Sequence, residues 1–373
     1  MSRVKHKPFA DGKFKGFMAS LRNSPYPLHY TLRWPWYFHH PSTYNHSALV
    51  PLVDRWSASN TSAEFDSSDT LRLIVAGDIM VLNSDRTPTL CPELCSLVSS
   101  ADYFVANLEA PVGHHKPDPE KRYTFLFHMP RDVLVGIQAQ LGLPFNRWYL
   151  SNANNHSADA GVAGFEESYA ILDALGVRHL GRDTDESRMQ IIAHAGMRIG
   201  VMAWTQWMNC HVPEVQRQVL WCEHAERLAP LTKAAHGLDL LIGMPHWGYE
   251  FQHFPTRAMQ RQARGLIAAG FDLLIGSHAH VLQPCEWFDG RPCFYTLGNF
   301  CGLGIAWAVK IIPLLEIEIA RDAHGQPGVV AYQLHYFHQV DGETETEIVP
   351  LSAMTAPVVK RVRARISKVY RMI

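Results

Sequence analysis

Three histidines close two near-copies of one short phrase. The first copy is Leu238-Asp-Leu-Leu-Ile-Gly-Met-Pro-His246-Trp-Gly, and the second is Phe271-Asp-Leu-Leu-Ile-Gly-Ser-His278-Ala-His280-Val. In each, an aspartate opens an apolar run, a glycine closes it, and imidazole follows within a few residues. Gathered on one edge, His246, His278 and His280 would supply the borderline nitrogen donors of a divalent-metal site. Three earlier apolar runs end on complementary ligand types. The run from Leu71 ends at Gly77-Asp78, and Tyr103-Phe-Val-Ala runs into Asn107-Leu-Glu109, so both bring carboxylates. Trp148-Tyr-Leu runs into Asn154-Asn155-His156 and brings an amide oxygen at Asn155. Taken singly, each has a plain explanation: a strand-end aspartate is usually a cap, an Asn-His pair a turn, and a histidine beside glycine a surface residue. Together, Asp78, Glu109, Asn155, His246, His278 and His280 stand at the ends of successive strands, which is much harder to dismiss. Mixed carboxylate and imidazole suits Mn²⁺, Fe, Zn²⁺ or Co²⁺, and the lack of cysteine argues against a structural zinc.

The elements that must bring these residues together are legible from periodicity. Residues 256–269 carry Met259, Ala263, Leu266 and Ile267 on one helical stripe between the two phrases. Strand, helix, strand of this length is a βαβ unit with a right-handed crossover. If its strands are parallel, their carboxyl ends share the edge where open α/β sheets place their chemistry. Further helices are expected over 162–175, capped by Gly176, and over 222–235. A hairpin is expected over 190–204 across Gly196-Met197, and another around Asp289-Gly290. Strands follow over 311–319 and 329–337. This mixture predicts an α/β fold, an αββα sandwich with two sheets inside helical layers.

Composition narrows the functional classes. The chain has 373 residues, 47% of them hydrophobic, which is ample for a large core. Its formal net charge of −1 provides no global field for nucleic acid. The seven scattered cysteines read as reduced thiols in a cytosolic protein. No secretory signal follows Met1, and no run reaches the roughly 18 apolar residues of a membrane span. The expectation is a soluble, cytoplasmic protein. Three regions are expected: an irregular, aromatic-rich arm over 1–69, a main domain over 70–345, and a basic segment over 346–373 that is helical, with a polar linker over 57–70 joining the first two. In the last, Val358, Val362, Ile366, Val369 and Ile373 keep helical spacing, interleaved with Lys360, Arg361, Arg363, Arg365, Lys368 and Arg371. Two placements are open. The helix contacts anionic lipid or an acidic partner peripherally and is dispensable for folding, or it packs on the core with its basic face in solvent, the weightier of the two.

Six blocks occur in a telling order: Gly77-Asp78-Ile-Met, Asn107-Leu-Glu109-Ala-Pro, Asn154-Asn-His156-Ser-Ala-Asp159, His246-Trp-Gly-Tyr-Glu250, Gly276-Ser-His-Ala-His280-Val and Leu297-Gly-Asn-Phe300. Over about residues 71–303 the chain resembles the CapA family, bacterial capsule or poly-γ-glutamate biosynthesis proteins related to calcineurin-like metallophosphoesterases. The resemblance implies a four-layer αββα fold of the metallophosphoesterase kind, with one or two divalent ions, Mn, Fe or Zn, at the sheet edge. It implies metal ligation by Asp78, Asn155, His246, His278 and His280, with Glu109 as the bridging carboxylate. It further implies that His156 is the general acid. Asp159 is the candidate for orienting it, because Ser157 stands where an acidic residue usually follows the Asn-His pair. Asn107, Asn154, Glu250 and Asn299, in the same blocks, are the expected substrate contacts. One departure stands out: Asp78 is followed by Ile79 and Met80 where metallophosphoesterases carry Asp-x-His, which leaves one ion a ligand short. Two functions therefore stay open. One is a metal-dependent hydrolase of a phosphoester or γ-glutamyl amide in a small or oligomeric anionic substrate. The other is a non-catalytic accessory or binding protein for an anionic polymer.

Overall fold

The computed structural model describes residues 26–58, 69–80, 86–118, 125–184, 188–302, 306–322, 324–343 and 345–373. Most of the linker expected over 57–70 lies outside the described residues. Two mixed β-sheets, flanked by helices, organise the rest. The larger sheet sets four parallel strands side by side, Leu71–Ile79, Tyr103–Leu108, Trp148–Ser151 and Arg178–Leu180. Antiparallel strands Ile311–Arg321, Pro327–Asp341 and Thr346–Pro350 extend it on the other side. The smaller sheet runs in the order Cys285–Phe288, Arg291–Phe294, Leu273–Ile275, Leu240–His246, Met197–Thr205, Met189–His194.

Strand periodicity explains how both faces of each sheet are buried. Along the first strand Leu71, Leu73 and Val75 face the core between the sheets, where they meet Ile199, Val201, Ile242 and Ile275. The alternate residues Ile74 and Ala76 face the opposite way, towards Leu94, Val98, Val133, Ile137 and Leu172 of the helices Pro92–Ser99, Arg131–Leu141 and Gly161–Leu175. Trp204, Leu241 and Leu274 likewise face Ala225, Ala263 and Leu266 of the helices Cys222–His236 and Arg257–Ala269.

The twin phrases form the expected unit. Their strands pair in parallel, with Ile242 opposite Leu273 and Gly243 opposite Leu274. The connecting helix starts where the Thr256 side chain accepts the Met259 N–H and ends at left-handed Gly270. The opening aspartates have structural work: Asp272 accepts the Leu241 N–H at 2.8 Å, and Asp239 accepts the Arg198 N–H at 2.8 Å. The hairpin turn lies one residue earlier than expected, at Ala195-Gly196, with φ of 46° and 73°. Two left-handed residues match the twist of a two-residue hairpin, and Met197 is thereby released into the strand.

Both ends of the chain depart from the sequence expectations. The arm is not irregular throughout: Leu28–Thr31 and Trp34–His39 are short helices, and Arg55–Ser57 pairs with the long strand Pro327–Asp341. The segment 346–373 is α-helical only over Ala356–Ile366, after a short 3-10 turn at Leu351–Ala353. Thr346–Pro350 is a strand of the larger sheet, and Tyr370–Arg371 pairs with Leu52–Val53. Of the apolar stripe, Val362, Ile366 and Val369 are buried in the core between the sheets and Val358 is half-buried against it, while Ile373 is exposed. Two of the segment's arginines stack on Trp307, Arg361 at 4.0 Å and Arg365 at 4.7 Å from the ring centroid. No helix among the described residues is long and apolar enough to cross a membrane.

Candidate metal centre

The sheet edge that carries Asp78 is shaped by a bulge. Between Val75 and Asp78 the register with the neighbouring strand slips by one residue, which re-aims the aspartate. Gly77 permits it: a Cβ there would lie 1.9 Å from the Gly298 carbonyl oxygen, which itself accepts the Asp78 N–H. Glu109 follows the next strand directly, and His246 is the last residue of its own. Gly276 lets the second phrase turn beneath the site, since a Cβ would fall 2.0 Å from the Tyr295 carbonyl oxygen. His278 and His280 then adopt φ of 95° and 55°, left-handed values that cost a side-chain-bearing residue energy and cluster at functional sites.

These turns gather the residues into two overlapping groups. Glu109, His246 and His278 present ligand atoms within 4.8 Å of one another, and so do Asp78, Glu109 and His280. Glu109 is common to both. Its Oε1 is buried and accepts no hydrogen bond. Around that oxygen stand His246 Nε2 at 3.5 Å, His156 Nε2 at 3.9 Å and His280 Nε2 at 3.9 Å. Such distances are too long for hydrogen bonds. Two donors bound to one ion at 2.0–2.2 Å would stand roughly 3–3.5 Å apart, close to these separations. His278 Nδ1 and Asn155 Nδ2 are also buried and without partners, while Asn155 Oδ1 lies 2.7 Å from His246 Nε2. An orphaned carboxylate oxygen facing several imidazoles is costly in isolation. The donor set fits a divalent cation.

The electrostatics point the same way. Burial, then the neighbouring Asp78 carboxylate, hold the Glu109 carboxyl well above its usual range. Burial, then the nearby His278 and His280, push His246 well down, and burial with His280 does the same to His278. Burial also pulls His280 down, but its bond to Asp78 and that residue's charge outweigh the effect, so the net shift is upward. Neutral imidazoles are the ligating form, and a bound cation would reverse the penalty on Glu109.

His156 is placed differently from the other histidines. Its Nδ1 lies 2.6 Å from Asp159 Oδ2, and its ring stacks on Phe127 at 3.7 Å between centroids and 13° between planes. Asp159 also accepts the Phe127 N–H at 2.7 Å, so one carboxylate fixes both stacked rings. Burial raises the Asp159 carboxyl, and His156 acts against that rise. With Nδ1 engaged, Nε2 faces the cluster, 3.9 Å from Glu109 Oε1 and 3.5 Å from Asn209 Nδ2.

The four expected substrate contacts are committed to neighbouring groups. Asn107 Nδ2 donates to Asp78 Oδ1 at 2.8 Å and lies 3.3 Å from His246 Nδ1. Asn154 Nδ2 donates to the Leu108 carbonyl, and its Oδ1 accepts the His156 N–H. Asn299 Oδ1 lies 3.1 Å from His280 Nδ1. The Glu250 carboxylate accepts the Trp34 indole N–H. The structure adds Ser277, whose hydroxyl lies 2.9 Å from His246 Nδ1, Phe127 on the face of His156, and Tyr26 against His278. Ser277 sits inside the second phrase and was visible there. Phe127 and Tyr26 had no sequence signal, because neither lies near its partner in the chain.

An α/β protein with mixed sheets flanked by helices, carrying two candidate metal-binding clusters where strand ends of the two sheets meet, is the class this architecture defines. The family can be stated as well. Residues 72–302 match the family model described as bacterial capsule synthesis protein PGA_cap, and the chain belongs to that family. The chain is 24% identical over 284 residues to the PGA biosynthesis protein CapA of Bacillus subtilis (strain 168), covering 72% of this chain and 73% of that protein. It is 23% identical over 250 residues to the capsule biosynthesis protein CapA of Bacillus anthracis, covering 62% of this chain and 60% of that one. Among solved structures, a novel phosphatase from Mycoplasma pneumoniae aligns with a TM-score of 0.46 and 10% identity, over 74% of this chain and 96% of that chain.

Proposed function

We propose that the protein is a metal-dependent hydrolase of the CapA type, built on a four-layer fold of the metallophosphoesterase kind. It cleaves a phosphoester or a γ-glutamyl amide in an anionic substrate linked to capsule or poly-γ-glutamate-like polymer biosynthesis. The supporting observation is the unpartnered Glu109 Oε1 surrounded by three imidazole Nε2 atoms. Glu109, His246 and His278, completed by Asn155, would hold one ion, and Asp78, Glu109 and His280 would hold a second. When bound, such ions supply Lewis acidity and a water of lowered pKa. The remaining work falls to the chain's own side chains. His156 gives a proton from Nε2 to the leaving group, while Asp159 holds Nδ1 and Phe127 fixes the plane of the ring. Asn107, Asn299 and Ser277 orient the ligand side chains, as outer partners of metal sites do. The relatives' names, which concern polymer and capsule biosynthesis, support the choice of substrate class.

One observation favours the accessory reading. Met80 stands where a first-block histidine would ligate, and it is buried in the core against the helices. The second group thus has three ligand residues, one fewer than a complete set would give, and a weakly held second ion removes one source of leaving-group stabilisation. Elemental analysis of protein purified without chelator, paired with assays on phosphoester and γ-glutamyl panels, separates the two. The hydrolase reading expects about one to two ions per chain and hydrolysis that chelator removes. Hydrolysis surviving complete metal removal refutes it, and stoichiometric metal with no hydrolysis on either panel favours the accessory role.

A further inference from the structure

The amino-terminal arm reaches the floor of the metal centre. The Tyr26 hydroxyl lies 2.9 Å from His278 Nε2. Its ring is clasped edge-on by Tyr30, Trp207 and Tyr249, with centroids 5.0, 5.5 and 5.6 Å away. The arm is anchored to the loops that carry the ligands. Trp34 donates its indole N–H to the Glu250 carboxylate, and the Tyr30 hydroxyl donates to the Glu250 carbonyl. Ser42 donates its N–H to the Phe251 carbonyl at 2.8 Å and accepts the His253 N–H at 2.9 Å. Phe38 packs with Phe251, Ala279 and Val281, directly beside His278 and His280.

We propose that Tyr26 is a positioning residue of the metal centre, holding His278 by Nε2 so that Nδ1 is the nitrogen that ligates. This rests on the metal-dependent reading given above. Metal-bound imidazoles almost always donate their other ring N–H to an outer partner, which sets tautomer and ring orientation. His278 Nδ1 is buried and has no partner. If Nδ1 carried the proton, a buried N–H would be left without an acceptor, which is destabilising. With the proton on Nε2, the Tyr26 oxygen accepts it and the Nδ1 lone pair belongs to the Glu109–His246–His278 group. The need for such a hold is clear from the backbone, since His278 has a φ of 95°. The same contact makes the arm a structural part of the site.

The test uses the full chain, stripped with chelator and titrated with Mn²⁺ or Zn²⁺ against a competing chelating dye. Tyr26→Phe removes only the hydroxyl. It should weaken metal binding about 10- to 100-fold, the usual effect of losing an outer partner, and lower the thermal midpoint of the metal-free protein by only a few degrees. Tyr37→Phe, whose ring touches Tyr30 rather than His278, should bind metal like the wild type. Proton–nitrogen correlation spectra of histidine-labelled wild-type protein should show the His278 proton on Nε2. Equal metal affinity of wild type and Tyr26→Phe, or a wild-type His278 proton on Nδ1, overturns the assignment of Tyr26 and leaves the metal centre standing. A wild-type protein that binds neither ion overturns both.

Discussion

His156→Ala tests the chemistry most directly. The ring is 2% exposed, held by Asp159 at 2.6 Å and by the face of Phe127 at 3.7 Å, so its Nε2 is presented in a fixed position. Removing a positioned proton donor costs about 10²–10⁴-fold in turnover, or about 3–5.5 kcal/mol at 1.36 kcal/mol per decade. Metal content should stay intact, because Asn155 rather than His156 is assigned to ligation. The assay compares two leaving groups. An alkoxide or amine needs the proton and should show the full loss, whereas a nitrophenolate departs without one and should show little. His280→Ala should differ, weakening metal binding and slowing every substrate alike. Equal metal loss in both variants would make His156 a ligand and refute this division of roles. If neither variant altered any measurable hydrolysis, the site would not be catalytic.

Two other predictions address stability and pH. Ile366 is 1% exposed within the core between the sheets, so Ile366→Ala should cost about 2–5 kcal/mol. A urea midpoint matching the wild type would show that the terminal helix is peripheral after all. The metal-induced rise in thermal midpoint should grow from pH 5.5 to 7.5. Glu109 keeps its proton above the ordinary carboxyl value of 4.5 when folded, so its ionisation penalises the metal-free fold progressively as pH rises towards the raised value. His280, raised above 6.5, gains folded stability from its proton at low pH and loses it as pH rises through the folded value. An ion displaces both protons, so its stabilisation increases across this window, and a pH-independent gain would contradict the assignment of these two ligands.

Much of this was legible before any fold was known, for reasons that differ from residue to residue. The twin phrases announce two parallel strands because an unbroken apolar run suits burial on both faces, and the helix between them shows a single stripe at helical spacing. Gly176 and the Asp289-Gly290 turn were readable because left-handed backbone selects few residue types. The terminal segment was ambiguous for an equally physical reason. An apolar stripe with a basic opposite face has the same periodicity whether the stripe meets lipid or protein, and the burial of Val362 and Ile366 in the core between the sheets has no signature of its own in that periodicity.

By itself, the sequence determined which residue types stand at the strand ends, and hence that carboxylates, an amide and imidazoles could meet on one edge. Tertiary structure decided their long-range partnerships: that Asn107 reaches Asp78, that Asn299 meets His280, that Ser277 meets His246, and that Tyr26 reaches His278. Local spacing fixes the face a side chain occupies, since the periods of helix and strand are properties of the backbone. Partners far apart in the chain are chosen by how the two sheets and the arm pack. A hydrogen bond of 2.9 Å between residues 26 and 278 leaves no periodic trace in the sequence.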